Sequence, residues 1–284
     1  MSHPQPPQPA LCCPVCRAAL HAVDNQLQCD QKHSFDRARQ GYWNLLLAHK
    51  KRSKDPGDNA AMVQARHEFL EQGYYQPLSD AVNKLACEQL KDIHNPQLLD
   101  MGCGEGYYSD RLQRALSTAG LKPSFSALDI SKHAVKAACH RNRDIHWLVA
   151  SGADMPLTDG SQDLLTVLFS RLMPEPFARL LRPGGKLLLA WPGPDHLLEL
   201  RQMIYDQVRP SNFQPAEQLA EYFSLIDQQQ VHYPFTLTRR QDIEALLGMT
   251  PHSQRMQANK REALLSLDSL PLTLDVRLGL FERR

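Results

Sequence analysis

The sequence predicts a doubly wound α/β protein with a mainly parallel sheet, preceded by a small cysteine-rich module. Three observations support this fold class: strand and helix patterns alternate from Pro96 onwards, a glycine-rich turn follows the first of these strands, and four cysteines cluster near the N-terminus. Alternation of this kind favours parallel strands with helices on both faces. Any ligand of such a sheet is expected at the carboxyl ends of its strands.

Length and composition are those of a folded protein with one large and one small unit. The chain has 284 residues, of which 42% are hydrophobic and 22% charged, so it can bury a full core. It contains no apolar run of about eighteen residues and no signal-peptide core. We therefore expect a cytoplasmic protein without membrane contact, whose seven cysteines are reduced or metal-bound rather than paired in disulfides.

The cysteine cluster has the spacing of a metal site. Cys13 and Cys16 form one pair, and Cys29 and His33 follow as C-x₂-C-x₁₂-C-x₃-H. Zinc prefers four such ligands at tetrahedral corners, and a site filled by four protein ligands is structural. Turn-forming residues between the two pairs predict a β-hairpin, and the adjacent Cys12 is expected to point away. The alternatives are a disulfide framework and scattered reduced cysteines.

The excess of basic over acidic residues lies in the first quarter of the chain. Residues 1–66 contain nine Lys and Arg against five Asp and Glu, and part of this excess is the run HKKRSKDPGD. Such a run suits contacts with phosphate, or is simply a solvated linker. We predict three parts: a zinc-binding module with a flexible tail (1–48), a basic linker with helices (49–95) and the large domain (96–284).

The elements of the large domain follow in order. The segment LLDMGCGEGYYSDRLQRAL is a strand, a turn and a helix, and SFSALDIS is a second strand before the helical KHAVKAACHRNR. Further strands are predicted in HWLVASG, in DLLTVLF and, after the helix FARLLRPGG, in KLLLAWPGP. A final antiparallel pair around a helix, from VHYPFTL to LPLTLDVRLGLFERR, would complete seven strands.

The turn after the first strand has the composition of a nucleotide-binding loop. It reads D-x-G-x-G-x-G and contains Asp100, Gly102, Gly104 and Gly106. Glycines let backbone approach a ligand closely. Asp129 ends the second strand, where an acidic residue can hold ribose hydroxyls, and Asp154 follows the third strand, where it could reach an adenine amino group. A nicotinamide-dependent dehydrogenase is the main alternative, but its loop reads G-x-G-x-x-G.

The order of these motifs, with LRPGG before the fifth strand, resembles the class I S-adenosylmethionine-dependent methyltransferases. Adding the Cys₃His module, HSFDRARQGYWNLL, HKKRSKDPGD, GYYQPL and WPGPDHLLELR makes the chain similar to the bacterial 23S rRNA (guanine-N1)-methyltransferases. This resemblance implies methylation at N1 of a guanine in hairpin 35, of the guanine-745 type of the Gram-negative branch, by a homodimer. It also implies one structural zinc on Cys13, Cys16, Cys29 and His33, and cofactor contacts at Tyr75, Glu105, Gly106, His196 and Leu197.

The chemistry of the substrate adds further expectations. Guanine N1 carries a proton that must leave during transfer, so a general base would help. His196, which follows the fifth strand at the ligand edge, is a candidate, and a cofactor contact or a place at the start of a helix is its alternative role. No Asn-Pro-Pro-Tyr or Pro-Cys motif follows the fourth strand, which argues against methylation of exocyclic amino groups or of carbon 5. The aromatic candidates for stacking on RNA bases are Tyr42, Trp43, Tyr74 and Tyr107, and for each of them packing in the core is the alternative.

Two other functions are compatible with the same motifs. A small-molecule methyltransferase would share the catalytic fold, but it would not explain a zinc module and a basic linker. A non-catalytic rRNA-binding assembly factor would explain the module. It would not explain the intact glycine loop and Asp129.

Overall fold

The computed structural model describes residues 9–51, 53–209, 212–250 and 256–284. The predicted flexible tail at residues 1–8 and Arg52 of the basic run lie outside the described residues. Within the described part of the chain, no helix combines the length and apolar character that a membrane span requires.

The N-terminal module contains a three-stranded antiparallel sheet. Its strands are β1 (His21–Val23), β2 (Gln26–Gln28) and β3 (Ser34–Asp36), in the order β1-β2-β3. The β1–β2 turn contains Asp24 with a φ of 52°, a left-handed conformation that aspartate tolerates. This is the β-hairpin that the turn formers predict.

The large domain has the predicted doubly wound sheet. All seven predicted strands are present: β5 (Gln97–Met101), β6 (Ser124–Asp129), β7 (His146–Val149), β8 (Gln162–Leu168), β9 (Leu181–Pro192), β10 (Phe223–Leu237) and β11 (Leu270–Arg283). An added strand, β4 (Trp43–Asn44), comes from the N-terminal segment and pairs with the edge of β7. The strand order is β10-β11-β9-β8-β5-β6-β7-β4, and only the pairs made by β11 are antiparallel.

Helices cover both faces of this sheet. They are α1 (Ala60–Leu70), α2 (Gln76–Leu90), α3 (Tyr107–Thr118), α4 (Lys132–Ala138), α5 (Pro174–Leu180), α6 (Leu198–Ile204), α7 (Pro215–Leu219), α8 (Arg240–Met249) and α9 (Ala258–Leu265). Side chains cap two of these helices: Asn59 accepts a hydrogen bond from the Met62 N–H, and Ser131 accepts one from the Ala134 N–H. Such caps satisfy N–H groups that a helix leaves unpaired.

The module is joined to the sheet domain by backbone hydrogen bonds and a shared core. The Cys12 N–H donates to the Pro156 carbonyl (3.0 Å), and the Leu45 N–H donates to the Val149 carbonyl (2.9 Å). Leu11 and Leu27 of the module belong to the same buried cluster as the sheet residues. Because β7 would otherwise expose an unpaired edge, β4 extends the sheet and fixes the module beside the carboxyl ends of its strands.

Candidate metal and cofactor sites

The predicted zinc ligands Cys13, Cys16, Cys29 and His33 come together, with all four ligand atoms within 4.8 Å of one another. His33 Nδ1 lies 3.4 Å from Cys29 Sγ and 3.6 Å from Cys13 Sγ. The Sγ atoms of Cys16 and Cys29 are 3.7 Å apart. Tetrahedral bonds of about 2.3 Å to sulfur and about 2.0 Å to nitrogen require ligand separations of about 3.5 to 3.8 Å. The four side chains therefore fit one Zn²⁺ ion.

Two tight turns present these ligands. The Arg17 N–H donates to the Cys13 carbonyl and the Lys32 N–H to the Cys29 carbonyl, each over 2.8 Å. Both Arg17 and Lys32 have a φ of 63°, the left-handed conformation that closes such turns. Burial raises the pKa of the Cys29 thiol, but hydrogen bonds from the His33 N–H and neighbouring groups lower it to about 7. Since the thiolate is the metal ligand, these donors favour the binding form.

Cys12 lies outside the cluster, as its position beside Cys13 predicts. Its thiol donates to the Leu157 carbonyl (3.3 Å). Burial raises the pKa of Cys12 to about 11, so it stays a protonated thiol. Cys12 therefore anchors the module to the sheet domain.

The glycine loop joins β5 to α3 through three left-handed glycines. Gly102, Gly104 and Gly106 have φ values of 81°, 55° and 87°. A Cβ on Gly102 would lie 2.4 Å from Ser170 Oγ, and one on Gly106 would lie 2.8 Å from the Trp147 ring. At Gly104 the nearest atom would be Nη1 of the flexible Arg66 side chain, at 3.2 Å. The middle of the loop is thus the part that a ligand can approach.

Asp129 lies at the end of β6 and is tied to this loop. Its Oδ2 accepts a hydrogen bond from the Gly104 N–H (3.0 Å), and its Oδ1 accepts one from the Ser131 N–H (2.8 Å). Burial raises the pKa of Asp129, and these two hydrogen bonds oppose the rise. Each carboxylate oxygen retains acceptor capacity, so the ribose contact predicted for Asp129 is compatible with its place.

Asp100 lies beneath the loop rather than in it. The carboxylate is 3% exposed and accepts hydrogen bonds from the hydroxyls of Ser109 (2.5 Å) and Thr166 (2.8 Å). These contacts tie β5 to β8 and to the first turn of α3. A direct cofactor contact, which the loop motif suggests, would require this carboxylate to leave its internal partners.

Burial raises the pKa of Asp100 to about 6, although the Ser109 and Thr166 hydrogen bonds lower it. The folded protein therefore binds this proton more tightly than the unfolded chain does. The stability that protonation of Asp100 contributes is present below about pH 4 and is lost as the pH rises through about 6. We expect Asp100→Asn to become more stable relative to the wild type between pH 4 and pH 7, by up to about 3 kcal/mol.

Urea unfolding of both proteins across this pH range measures the difference. Asn has the same shape as Asp and keeps one acceptor oxygen. The other titrating groups therefore contribute equally to the unfolding free energies of the two proteins and cancel in the difference. A stability difference independent of pH would contradict the assigned pKa.

The side chain of Glu105 is buried beneath the glycine loop. It is 2% exposed and forms an ion pair with Arg141, whose guanidinium also contacts Glu71 (2.7 Å) and His67 (2.8 Å). The cofactor contact predicted for Glu105 can therefore involve only its backbone. The ion pair instead fixes the loop against α1.

Asp154 follows β7 and faces the N-terminal module. Its carboxylate forms ion pairs with Lys50 and with Arg17, the latter over 3.7 Å. The side chain is 38% exposed, so it still borders solvent at the carboxyl edge. If Asp154 contacts adenine as predicted, it must do so while it is paired with these two cations. No local sequence pattern indicates these two ion pairs.

Tyr75 and His196, two further residues predicted to contact the cofactor, lie in contact with each other, with Leu197 next to His196 in the chain. Tyr75 Oη lies 3.4 Å from His196 Nε2. The Asp275 N–H donates to His196 Nδ1 (3.4 Å). Leu197 has a φ of 50° and is buried, so its side chain turns into the core. Tyr75 is buried and His196 is partly buried, so the Tyr75 hydroxyl faces the imidazole rather than solvent.

Sequence reasoning missed Phe169, which follows β8 at the same edge. Phe169 is 41% exposed and has a φ of 54°, a strained conformation for an aromatic residue. Its ring stacks on His196 with 6.0 Å between centroids. A stretch with no glycine gives no signal for left-handed backbone, so only the structure identifies this exposed ring.

The aromatic residues expected to stack on RNA mostly do not face solvent. Tyr42, Trp43 and Tyr107 are at most 8% exposed, so the prediction of RNA contacts is wrong for them. Tyr42 and Tyr107 belong to one core cluster, and Trp43 belongs to the other. Tyr74 is partly buried, and its hydroxyl donates to Asp242 Oδ2 (2.8 Å). Aromatic side chains beside apolar runs are more often core than ligand contacts.

Comparisons with known proteins match both parts of the chain. A zinc-ribbon family model described as "RlmA, N-terminal" matches residues 11–54, and one described as "Methyltransferase domain" matches residues 98–185. A Streptomyces fradiae protein named "23S rRNA (guanine(748)-N(1))-methyltransferase" is 35% identical, over 85% of this chain and 84% of its own length.

Two further relatives are aligned over nearly their whole length. Both bear the name "Putative 23S rRNA (guanine-N(1)-)-methyltransferase", with the suffix YxjB for the second. The Micromonospora griseorubida protein is 33% identical over 95% of this chain and 96% of its own length. The Bacillus subtilis protein is 31% identical over 93% and 94%. The chain therefore belongs to the family of 23S rRNA (guanine-N1)-methyltransferases, S-adenosylmethionine-dependent class I enzymes with an N-terminal zinc ribbon.

Proposed function

We propose that this protein methylates N1 of a guanine in 23S rRNA. The observation that carries the proposal is the shared architecture: relatives with this named activity align with the zinc ribbon and the methyltransferase domain together. A small-molecule methyltransferase would need only the second part. The finer assignments, which we also propose, are hairpin 35, the guanine-745 type, a homodimer and a cytoplasmic location.

The site residues are part of the same proposal. Zinc would be held by Cys13, Cys16, Cys29 and His33. The zinc-binding module would comprise residues 1–48, the basic linker with its helices residues 49–95, and the catalytic domain residues 96–284. The cofactor would bind over Gly102, Gly104 and Gly106, with Asp129 holding its ribose. The remaining cofactor residues proposed are Tyr75, Asp100, Glu105, Asp154, His196 and Leu197.

When bound, S-adenosylmethionine supplies a methyl group already activated on a sulfonium. The protein must then orient an extruded guanine in line with that methyl group, because positioning dominates such a transfer. Phe169 suits this role: its exposed ring at the carboxyl end of β8 offers an apolar face to a flipped base.

Labelled methyl transfer from S-adenosylmethionine to unmodified 23S rRNA tests this function. We expect labelled RNA with the wild type, and a kcat/KM that is about 5- to 150-fold lower with Phe169→Ala, since stacking on one base contributes about 1 to 3 kcal/mol. Phe169→Tyr keeps the ring and is expected to retain most activity.

The control is the affinity for S-adenosylhomocysteine, which Phe169→Ala should lower much less than kcat/KM, because the proposed cofactor residue His196 keeps its other contacts, with Tyr75 and Asp275. Absence of RNA labelling by a wild-type protein that binds the cofactor would favour a small-molecule substrate. Full activity of Phe169→Ala would remove Phe169 from the substrate site.

A further inference from the structure

We propose that a basic track on the outer surface of α4 binds the phosphate backbone of the RNA substrate. The track consists of Lys132 and Lys136 of α4 and of His140 and Arg143 in the segment that follows the helix, with Arg39 of the zinc module opposite its far end. This inference rests on the proposed function, because it assumes that the substrate is RNA. No residue of the track belongs to the metal or cofactor sites described above.

Two of these side chains lie on α4, and the others lie in the segment that follows it. Lys132 and Lys136 are four residues apart, which places them on one face of the helix, about 6 Å apart along its axis. The helix ends at Ala138, and the His140 N–H donates to the Ala137 carbonyl (3.1 Å) in the turn that follows. His140 and Arg143 therefore extend the row of basic residues beyond the end of α4, so that it can contact more than one phosphate.

The far end of the track is a groove at the junction with the zinc module. It has a volume of about 480 Å³. Lys136, His140 and Arg143 line one side, and Arg39 and Gln40 line the other. Since Gln40 is uncharged and no carboxylate lines the groove, its charge is positive. Two parts of the chain that are distant in sequence thus form one cationic surface.

The positive charge of the track is uncompensated. Residues 132–143 contain four Lys and Arg and no Asp or Glu. Arg141 points inward to Glu71 and Glu105, whereas Lys132, Lys136 and Arg143 have no carboxylate partner among the ion pairs of the described residues. The next residue, Asp144, is exposed and likewise forms none of these pairs.

Two basic residues of α3 differ in this respect. On α3, Arg111 pairs with Asp80 (2.6 Å) and Arg114 pairs with Asp110 (2.9 Å). Unpaired cations in a row repel one another and attract a polyanion. The unpaired basic residues of the track are therefore suited to bind the phosphate groups of an RNA strand.

The direction of the track connects it to the cofactor site. Lys132 lies three residues after Asp129, at the carboxyl edge of the sheet. At the same end, Asp55 of the linker holds His133 over 2.9 Å, which brings the basic linker alongside. A strand of RNA lying on the track would therefore lead from the zinc module towards the site of methyl transfer.

The double variant Lys136→Ala and Arg143→Ala tests the track, with Lys122→Ala as the matched control. Lys122 is exposed on the loop between α3 and β6, at the opposite edge of the sheet. We expect the double variant to raise the KM for 23S rRNA about tenfold at about 0.1 M salt. We also expect the salt dependence of log K to become shallower by about 0.7 per lost phosphate contact.

The kcat at saturating RNA and the affinity for S-adenosylhomocysteine should stay at their wild-type values, because no atom of the cofactor site changes. If the double variant has the wild-type KM and salt dependence, or if Lys122→Ala raises the KM by the same factor, the proposal that the track binds RNA is wrong. The proposed function would be unaffected by either result. A wild-type protein that labels no RNA would instead overturn the proposed function.

Discussion

Replacing Cys16 by serine is expected to remove the bound zinc and to unfold the N-terminal module. Cys16 supplies one corner of a cluster whose other members lie within 4.8 Å, and three ligands hold zinc far more weakly than four. Structural zinc contributes about 10 kcal/mol or more to the folding of small zinc-binding peptides. A module whose strands have three residues each cannot replace this stabilisation with its own core.

The measurements are zinc content by mass spectrometry, limited proteolysis of the module and calorimetry with S-adenosylhomocysteine. We expect zinc to be lost and the module to be cleaved, while the large domain still binds the ligand. Cys12→Ser is the matched control: this buried residue lies outside the cluster, so it should keep its zinc. A full complement of zinc in Cys16→Ser would contradict the ligand assignment.

The Asp129→Ala substitution is expected to weaken cofactor binding more than tenfold. It removes the acceptor of the Gly104 and Ser131 N–H groups, so the loop loses its anchor to β6. It also removes the carboxylate proposed to hold the ribose hydroxyls. Charge-assisted hydrogen bonds contribute about 1.5 to 3 kcal/mol each, and about 1.4 kcal/mol corresponds to a tenfold change.

Calorimetric titration with S-adenosylhomocysteine measures this effect. Asp129→Asn keeps one acceptor oxygen and should lose less affinity than alanine. Asp92→Ala removes an exposed carboxylate between α2 and β5, at the opposite edge of the sheet, and should leave the affinity unchanged. Wild-type affinity in Asp129→Ala would place the ribose contact elsewhere.

Local sequence patterns were sufficient to predict the order of strands and helices. The apolar strands and the turns between them are read from adjacent residues, and the three glycines signal backbone that only glycine adopts easily. The zinc ligands were also predictable, because two short-spaced pairs limit the possible geometry. These features depend on neighbours in the chain.

Contacts between distant residues were not predictable from the sequence. Nothing in Trp43 and Asn44 indicates that they extend the edge of β7. Asp154 follows its strand as expected, but its ion pairs with Arg17 and Lys50 depend on how the module docks. The conformation of Phe169 is set by the loop that it occupies and contradicts the usual preference of an aromatic residue. Such sites of strain often accompany function.

Mapping the modified nucleotide in 23S rRNA tests the proposed activity most directly. Unmodified 23S rRNA would be incubated with the protein and S-adenosylmethionine, digested for nucleoside mass spectrometry, and copied by reverse transcriptase. A methyl group at N1 blocks the pairing edge of guanine, so we predict N1-methylguanosine and a single new stop within hairpin 35. Methyl transfer to another atom or another nucleoside, or no transfer to RNA by a protein that binds the cofactor, would contradict the account.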